Sequence, residues 1–517
     1  MSDDLTNNND HISNGDIDDS GRRRTVSWRQ AFAFGVGHFY NDLCASMWFS
    51  YMLLFLKNVL NFSSPGAGYI ILIGQLTDGL ATPLVGIEAD SRRFRSFALY
   101  GQRKSWHGIG TILVSISFPF LFMNCLKCSY AETPEFAKLI YFIPFVVIFQ
   151  IGWATVQISH LALIPELSSS LRDRTTLNGL RYGFTVIANL SIFLLAWVMF
   201  GTDTSHTYDV NRYDLSKFRV MGLIAIGVGV ATSLLFHIGT RERRSYRTYA
   251  PDEFDNASVD SNSTTGAGDI DRDDLLAADH TRRPASRTRR WRDWFRDYQF
   301  YQMAILYVCT RLFVNVSQVY LPLYILETQH FAKEYIAIVP LVTYSSSFVV
   351  SVLFSSKLCD FLLLRRETTF VFGVMLGLSS CIWMWFHNLH MQIFGVASFL
   401  GIASAILLIT SLSMVSDMIG DHMKSGAFVF GAMSFCDKLA NGAAIQLVQS
   451  LEPICTRNCD KKDWYFRNVM VFVPGGALLI ALLALALRTP ALIYGKRLGN
   501  QEYNSALVGS GQPLSSE

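Results

Sequence analysis

Apolar residues along this chain of 517 residues are gathered into blocks, and short polar stretches separate most of the blocks. A helix needs about 20 mainly apolar residues to cross the hydrocarbon core of a bilayer, so a block of that length predicts a membrane span. Twelve blocks qualify, at residues 31–57, 66–88, 107–124, 138–164, 178–201, 217–239, 299–325, 334–356, 368–387, 391–416, 426–451 and 466–488. The pattern therefore predicts an all-α membrane protein with twelve transmembrane helices.

Composition excludes the alternative of several soluble domains, although the length alone would allow about three domains of roughly 150 residues. Half of the residues (50%) are hydrophobic and only 16% are charged, whereas soluble domains typically have about 25% charged residues. The net charge of +3 does not indicate a nucleic-acid partner. The sequence contains no Walker motif, metal-binding histidine array or nucleophile elbow, so we expect no enzymatic activity, no ATP-driven pumping and no cofactor or metal.

A hydrophilic stretch between the sixth and seventh blocks divides the spans into two sets of six. Residues 240–297 are rich in polar residues and contain few aliphatic ones, so they cannot bury enough apolar surface to fold alone. We therefore predict a disordered N-terminal tail (1–30), a six-helix half (31–239), a disordered linker (240–297), a second six-helix half (298–488) and a C-terminal tail (489–517). Most of the 44 Lys and Arg residues fall on the side of the tails and linker, which predicts that this side is cytoplasmic.

Polar side chains recur at helical spacing inside six of the predicted spans. An ionisable group at membrane depth costs about 2.5 to 3.5 kcal/mol on insertion scales, so these stripes are expected to line a shared interior cavity rather than face lipid. The candidate substrate-binding residues on them are Asp42, Asp78, Gln157, Arg181, Arg311, Lys438 and Asn441. For any of these residues the alternative is a purely structural role in holding helices together, and that alternative is strongest for Arg311 with its possible partner Asp437.

Two loops at equivalent places in the halves carry an acid followed by a basic cluster. The loop after the second span contains Asp90, Arg92 and Arg93, and the loop after the eighth contains Asp360 and Arg365. This recurrence favours an internal repeat with a charged gate between helix ends on the cytoplasmic side. The alternative is that these basic residues only set the orientation of the chain.

Four cysteines lie in loops on the side predicted to be non-cytoplasmic: Cys125, Cys128, Cys455 and Cys459. An oxidising compartment favours structural disulfides there over metal or redox chemistry, and the spacing leaves their connectivity open.

The linker contains a short segment that resembles a sorting signal. Asp271 lies four residues before the pair Leu275-Leu276, as in acidic dileucine motifs, which adaptor complexes bind as extended peptides. Exposure in a cytoplasmic linker is the context that such binding requires.

The arrangement of six spans, a linker and six spans resembles the major facilitator superfamily. The segments GVGHFYNDLCASMWF and QLTDGLATPLVG resemble the branch that contains the melibiose carrier and other glycoside–pentoside–hexuronide cation symporters. Further segments, ISHLALIPEL, LRYGFTVIANL, GTRERR and SGAFVFGAMSFCDKLANG, resemble a lysosomal and melanosomal subfamily that is associated with cysteine entry into those organelles. The resemblance implies a fold of two six-helix halves around a midplane site.

The resemblance also implies roles for four charged residues and shows two departures. Asp42 and Asp78 match the branch's acids on the first and second helices, Arg181 its helix-five arginine and Lys438 its helix-eleven lysine. Where those symporters have a second cation-site acid this chain has Thr82, and where they have a sugar-binding acid it has Gln157. These two departures argue against sodium coupling and against sugar binding.

Two acids and two bases around one cavity suit a zwitterion. Arg181 can bind a carboxylate through two hydrogen bonds, while Asp42 or Asp78 binds an ammonium group. The charges do not select cysteine from other small amino acids; only the subfamily resemblance does. We expect a secondary transporter in the membrane of lysosomes or related organelles that imports cysteine from the cytosol by alternating access. The alternatives are a cation-coupled symporter of sugars or lysolipids, and a membrane scaffold or sensor without transport activity.

Overall fold

The computed structural model describes residues 26–90, 100–126, 128, 133–168, 170–202, 209–242, 291–355, 366–386, 389–419, 423–454 and 460–509. Within these ranges every regular element is helical. The long helices are α1 (Trp28–Val36), α2 (Phe39–Leu54), α3 (Ser64–Asp90), α4 (Gln102–Leu121), α5 (Glu135–Ala162), α6 (Leu171–Gly201), α7 (Leu215–Gly239), α8 (Tyr298–Glu327), α9 (Tyr335–Ser355), α10 (Arg366–Trp383), α11 (Gln392–Ile419), α12 (Met423–Leu451) and α13 (Asp460–Gly509).

Each predicted span corresponds to one of these helices, except that α1 and α2 share the first span. Eight of the described helices are long and apolar enough to cross a membrane by length and composition. The helices of the other four predicted spans, α2, α4, α10 and α12, are shorter or more polar.

The first predicted span is not one continuous helix, and this is a correction to the sequence prediction. It breaks between α1 and α2, where the Gly37 N–H bonds the carbonyl of Phe34, 3.0 Å away, instead of the carbonyl four residues back. A Cβ at Gly37 would lie 2.3 Å from the Phe236 ring of α7, so only glycine allows this close approach. A π-helical turn at Phe55–Val59 follows α2.

The last helix also departs from the prediction, because α13 continues past residue 488 to Gly509. Hydropathy shows where the apolar part of a helix ends, and a helix can continue into polar sequence beyond that point.

The helices pack as two sets that correspond to the six spans of each half, and the largest contacts between the sets among the described residues are those of α2 with α8, α3 with α12 and α6 with α9. The first spans of the two halves thus meet, and the second span of each half meets the fifth of the other. This reciprocal pairing is what two halves built as repeats would give. We call the face where α1 begins and α7 ends the tail face, and the other the opposite face.

Candidate functional site

The interior of the first half holds a chain of four hydrogen-bonded side chains. The break before α2 places His38 at its start, and Asp42 follows one turn later with its Oδ2 atom 2.8 Å from His38 Nδ1. From α6, Arg181 Nη2 lies 3.0 Å from His38 Nε2, and the Thr185 hydroxyl donates to Asp42 Oδ2 at 2.7 Å. His38 and Asp42 are both buried. Two helices therefore hold an acid and a base on either side of one histidine.

The hydrogen bonds fix the state of that histidine. A guanidinium only donates, so His38 Nε2 must carry a lone pair towards Arg181. The remaining proton is then on Nδ1, where it is donated to Asp42. His38 is therefore neutral, and it separates the positive and negative charges.

Arg181 retains hydrogen-bonding capacity in this arrangement. No carboxylate of a described residue lies within 4.0 Å of its guanidinium, and its Nε atom is buried without a hydrogen-bond partner. Adjacent N–H groups of a guanidinium bind a carboxylate through two parallel hydrogen bonds. One turn closer to the tail face on the same helix, Asn178 is exposed. The arrangement therefore suits an incoming carboxylate.

A second charged group bridges the halves. Lys438 Nζ of α12 lies 2.7 Å from Asp78 Oδ1 of α3 and 2.8 Å from the Thr82 hydroxyl, and 5.7 Å from the centre of the Trp153 ring. Thr82 in turn donates to the Asp78 carbonyl at 2.8 Å. The lysine ammonium thus lies against the two side chains that the branch resemblance matches to a cation site, and Asp78 is engaged by a built-in cation.

The third group lies within the second half. Arg311 Nε of α8 donates to Asp437 Oδ2 at 3.1 Å, and Asn441 Nδ2 donates to the other carboxylate oxygen at 2.5 Å. Asp437 and Asn441 are buried, and the Asn441 Oδ1 atom has no partner. Arg311 and Asp437 thus form a direct ion pair, which is the arrangement expected if their role is structural.

The structure describes only some of the remaining residues that the sequence predicts to be functional. Gln157 lies one turn beyond Trp153 on α5, is half-buried and makes no hydrogen bond to a described residue. Asp90 is the last residue of α3. Outside the described residues lie Arg92, Arg93, Asp360 and Arg365 of the predicted gate, Asp271, Leu275 and Leu276 of the predicted sorting signal, and the cysteines Cys455 and Cys459.

The structure joins Cys125 to Cys128 through a disulfide in the loop after α4. This pairing is one of the connectivities that the spacing left open. Among the described residues no group of three or more His, Cys, Asp or Glu side chains could hold a metal ion.

Sequence reasoning missed two ion pairs that join the halves at the opposite face. Lys57 contacts the carboxylate of Glu452, and its ammonium lies 4.9 Å from the centre of the Phe466 ring. Lys333 lies 3.3 Å from the carboxylate of Asp214, which precedes α7. In the sequence these residues are ordinary charges at span ends, and only the tertiary structure pairs them.

These ion pairs are buried where the halves meet at the opposite face. All four of their side chains are more than 90% buried. Nearer the tail face, the halves are joined by a hydrogen bond of 2.8 Å between the hydroxyl groups of Tyr182 and Ser351. The ion pairs thus hold the halves together on the side away from Asn178, the exposed residue one helical turn from Arg181.

The fold and the sequence together define a secondary transporter of the major facilitator superfamily. A family model described as MFS/sugar transport protein matches residues 33–265. Among solved structures, a D-xylose-proton symporter is similar in fold, with a TM-score of 0.58, 14% identity and coverage of 89% of this chain and 95% of the other.

Curated relatives narrow the assignment. The human major facilitator superfamily domain-containing protein 12 is 42% identical over 478 residues, which cover 89% of this chain and 93% of the relative. The mouse protein of the same name is 41% identical over 498 residues, covering 93% and 97%. The chain belongs to the family of major facilitator superfamily domain-containing protein 12. The predicted superfamily, its subfamily and the all-α major facilitator fold are confirmed.

Proposed function

We propose that the chain carries cysteine from the cytosol into the lumen of lysosomes or related organelles. The observation that carries this proposal is the Arg181–His38–Asp42 chain, in which a guanidinium with a buried, unpartnered Nε faces an acid across a neutral histidine. A zwitterion brings one carboxylate and one ammonium, so it complements such a site without leaving net charge in the membrane.

In two of the three interior charge groups that have been described, the opposite charges are already paired directly without a substrate. Lys438 neutralises Asp78, and Asp437 neutralises Arg311. The ammonium of the substrate is therefore assigned to Asp42 rather than to Asp78. The reason for proposing cysteine rather than another small amino acid is the subfamily resemblance and not the charges.

Transport proceeds by alternating access between the two halves. In this conformation the ion pairs Lys57–Glu452 and Lys333–Asp214 hold the opposite face closed, so substrate enters from the tail face. The predicted gate of Asp90, Arg92, Arg93, Asp360 and Arg365 closes the tail face in the other conformation. A carrier must bind substrate in both states, and the bound substrate must favour their exchange.

Reconstitution in liposomes tests this proposal. Purified full-length protein is assayed for uptake of labelled cysteine, serine, alanine and melibiose, and empty liposomes are the control. We expect saturable uptake of cysteine and no uptake of melibiose, because Gln157 replaces the branch's sugar-binding acid. Uptake of melibiose alone would favour the sugar symporter, and no uptake of any solute would favour the scaffold.

The proposed location of the protein is the lysosomal membrane, with the tails and linker in the cytosol. If Asp271, Leu275 and Leu276 bind an adaptor complex, the double substitution Leu275→Ala, Leu276→Ala moves the protein to the plasma membrane. Surface labelling of cells measures this shift, with Leu5→Ala in the N-terminal tail as the matched control. Unchanged lysosomal residence of the double variant would contradict the assignment.

A further inference from the structure

Four histidines from four helices form a row inside the first half. The row begins with His237 near the tail-face end of α7 and continues through His107 of α4 and His160 of α5 to His38. His237 Nε2 lies 3.1 Å from His107 Nδ1, and the ring centroids are 6.0 Å apart for His107 and His160 and 5.5 Å for His160 and His38. His38 Nδ1 then meets the Asp42 carboxylate at 2.8 Å. The row thus connects the tail face with the acid of the candidate site.

Hydrogen bonds assign a tautomer to each histidine of the first pair. His107 Nε2 lies 3.0 Å from the Gly37 carbonyl and must donate to it, so His107 Nδ1 accepts from His237 Nε2. His237 Nδ1 then accepts from the hydroxyl of Tyr100, 2.8 Å away, whose side chain is exposed. The outer part of the row is therefore a continuous chain of donors and acceptors that begins at solvent.

His160 differs from these two because one of its nitrogens has no partner. Its Nε2 donates to the Phe34 carbonyl at 2.7 Å, which leaves a lone pair on Nδ1. That atom is buried without any hydrogen bond, and the residue is 0% exposed. A buried acceptor without a donor is a position at which a proton can bind.

A structural role explains only part of this arrangement. His107 and His160 donate to the backbone carbonyls of Gly37 and Phe34 beside the break between α1 and α2, and the Phe34 carbonyl also accepts from the Gly37 N–H. An amide side chain could make the same bonds. That role accounts neither for the unpartnered Nδ1 of His160 nor for the extension of the row through His237 to Tyr100.

We propose that this row conducts protons between the tail face and Asp42, and that cysteine movement is coupled to proton movement through it. The inference rests on the proposed function and adds its coupling ion and pathway. Each histidine takes a proton at its lone-pair nitrogen and releases one to the next group, so one proton crosses and the row then resets. Ring reorientation or a single water bridges the two wider gaps, which is within the reach of general acid–base transfer.

Charged residues at the two ends of the row indicate where the proton goes. Lys104 donates to the His237 carbonyl at 3.0 Å, with Glu242 accepting from its backbone N–H at 2.9 Å, and Arg181 contacts His38 at the other end. Among the described residues, Asp42 is the carboxylate that bonds a histidine of the row, whereas Asp78 is occupied by Lys438.

The test separates proton movement from substrate exchange in proteoliposomes of full-length protein. Cysteine-for-cysteine exchange is measured with equal cysteine on both sides, and proton movement during net cysteine uptake is followed with an entrapped pH dye. His160→Gln keeps a donor for the Phe34 carbonyl but carries no proton. We expect its exchange to be unchanged and its coupled proton flux to fall about 100-fold, as for loss of a positioned proton-transfer group.

His330→Asn is the matched control, because His330 lies outside the row at a positive φ of 52° that asparagine tolerates. It should leave both signals at wild-type level. His107→Gln, which can still donate to the Gly37 carbonyl, repeats the test if His160→Gln fails to fold.

Each other outcome overturns the inference. Wild-type coupled proton flux in both Gln variants would exclude the row as the pathway, and loss of exchange together with proton flux would show a structural role. Wild-type exchange without proton movement would overturn this inference and leave the proposed function intact. Absence of wild-type cysteine exchange would overturn the proposed function and the inference with it.

Discussion

The two halves of the molecule hold their interior charges in different ways. In the first half His38 separates Arg181 from Asp42, whereas in the second half Arg311 touches Asp437 directly. The base of the first half has a buried N–H group without an acceptor, while the carboxylate of the second is bound on both oxygens. Similar charge counts thus give one half that is prepared for a charged ligand and one in which the charges are already paired.

The group that joins the halves follows the pattern of the second half. Lys438 neutralises Asp78 across the α3–α12 contact, at the place where the related symporters hold a cation site. Among the described residues, only those of the first half then offer separated charges to a substrate. Three substitutions and one change of conditions test this difference.

The largest effect is expected from unpairing the bridge between the halves. Lys438→Met leaves the buried Asp78 carboxylate without its cation, and breaking a buried pair in this way costs about 3 to 5 kcal/mol. The melting temperature of the purified protein and its cellular abundance should both fall. Asp78→Asn combined with Lys438→Met removes the orphaned charge and should restore both; a stable single variant would show that the pair is unimportant.

A smaller effect is expected in the second half. Arg311→Lys keeps a positive charge beside Asp437, so the ion pair persists and we expect the half-saturating cysteine concentration to change by less than about fivefold, or about 1 kcal/mol. Concentration-dependent cysteine uptake in liposomes gives the half-saturating concentration. A much larger increase with normal abundance would place the substrate carboxylate at Arg311 instead.

The smallest effect is expected when the cation of the assay solution is changed. Because Lys438 occupies Asp78 and Thr82, replacing sodium with N-methylglucamine should leave the initial rate of cysteine uptake unchanged. Steep sodium dependence would mean that the lysine leaves this position during transport and that other oxygens complete a sodium site.

The sequence predicts the spans well because hydropathy and helical spacing are local properties. All twelve blocks correspond to helices, and the stripes through Asp42, Asp78, Arg181 and Lys438 do point inwards. The break at Gly37 was not predictable, since it depends on the approach of Phe236 from a helix some 200 residues later in the chain.

Pairing between helices was the other property that the sequence left open. Spacing along one helix shows that Asp42 and His38 share a face, but it does not show that His38 accepts a hydrogen bond from Arg181. Nor does it show that Lys438 pairs with Asp78 rather than with its neighbour Asp437. The choice depends on the relative positions of whole helices. The same reason hides the pairing of Lys57 with Glu452, because each is an ordinary flanking charge until the halves meet.

The central claim is that Arg181 binds the substrate carboxylate, and Arg181→Lys tests it most directly. Lysine keeps the charge but loses the pair of parallel donors, so the two residues are not interchangeable at a bidentate site. A charge-assisted hydrogen bond contributes about 1.5 to 3 kcal/mol, which is roughly 10- to 150-fold in affinity. We expect the half-saturating cysteine concentration of reconstituted Arg181→Lys protein to rise within that range at normal abundance. An unchanged half-saturating concentration in well-folded protein would contradict the claim.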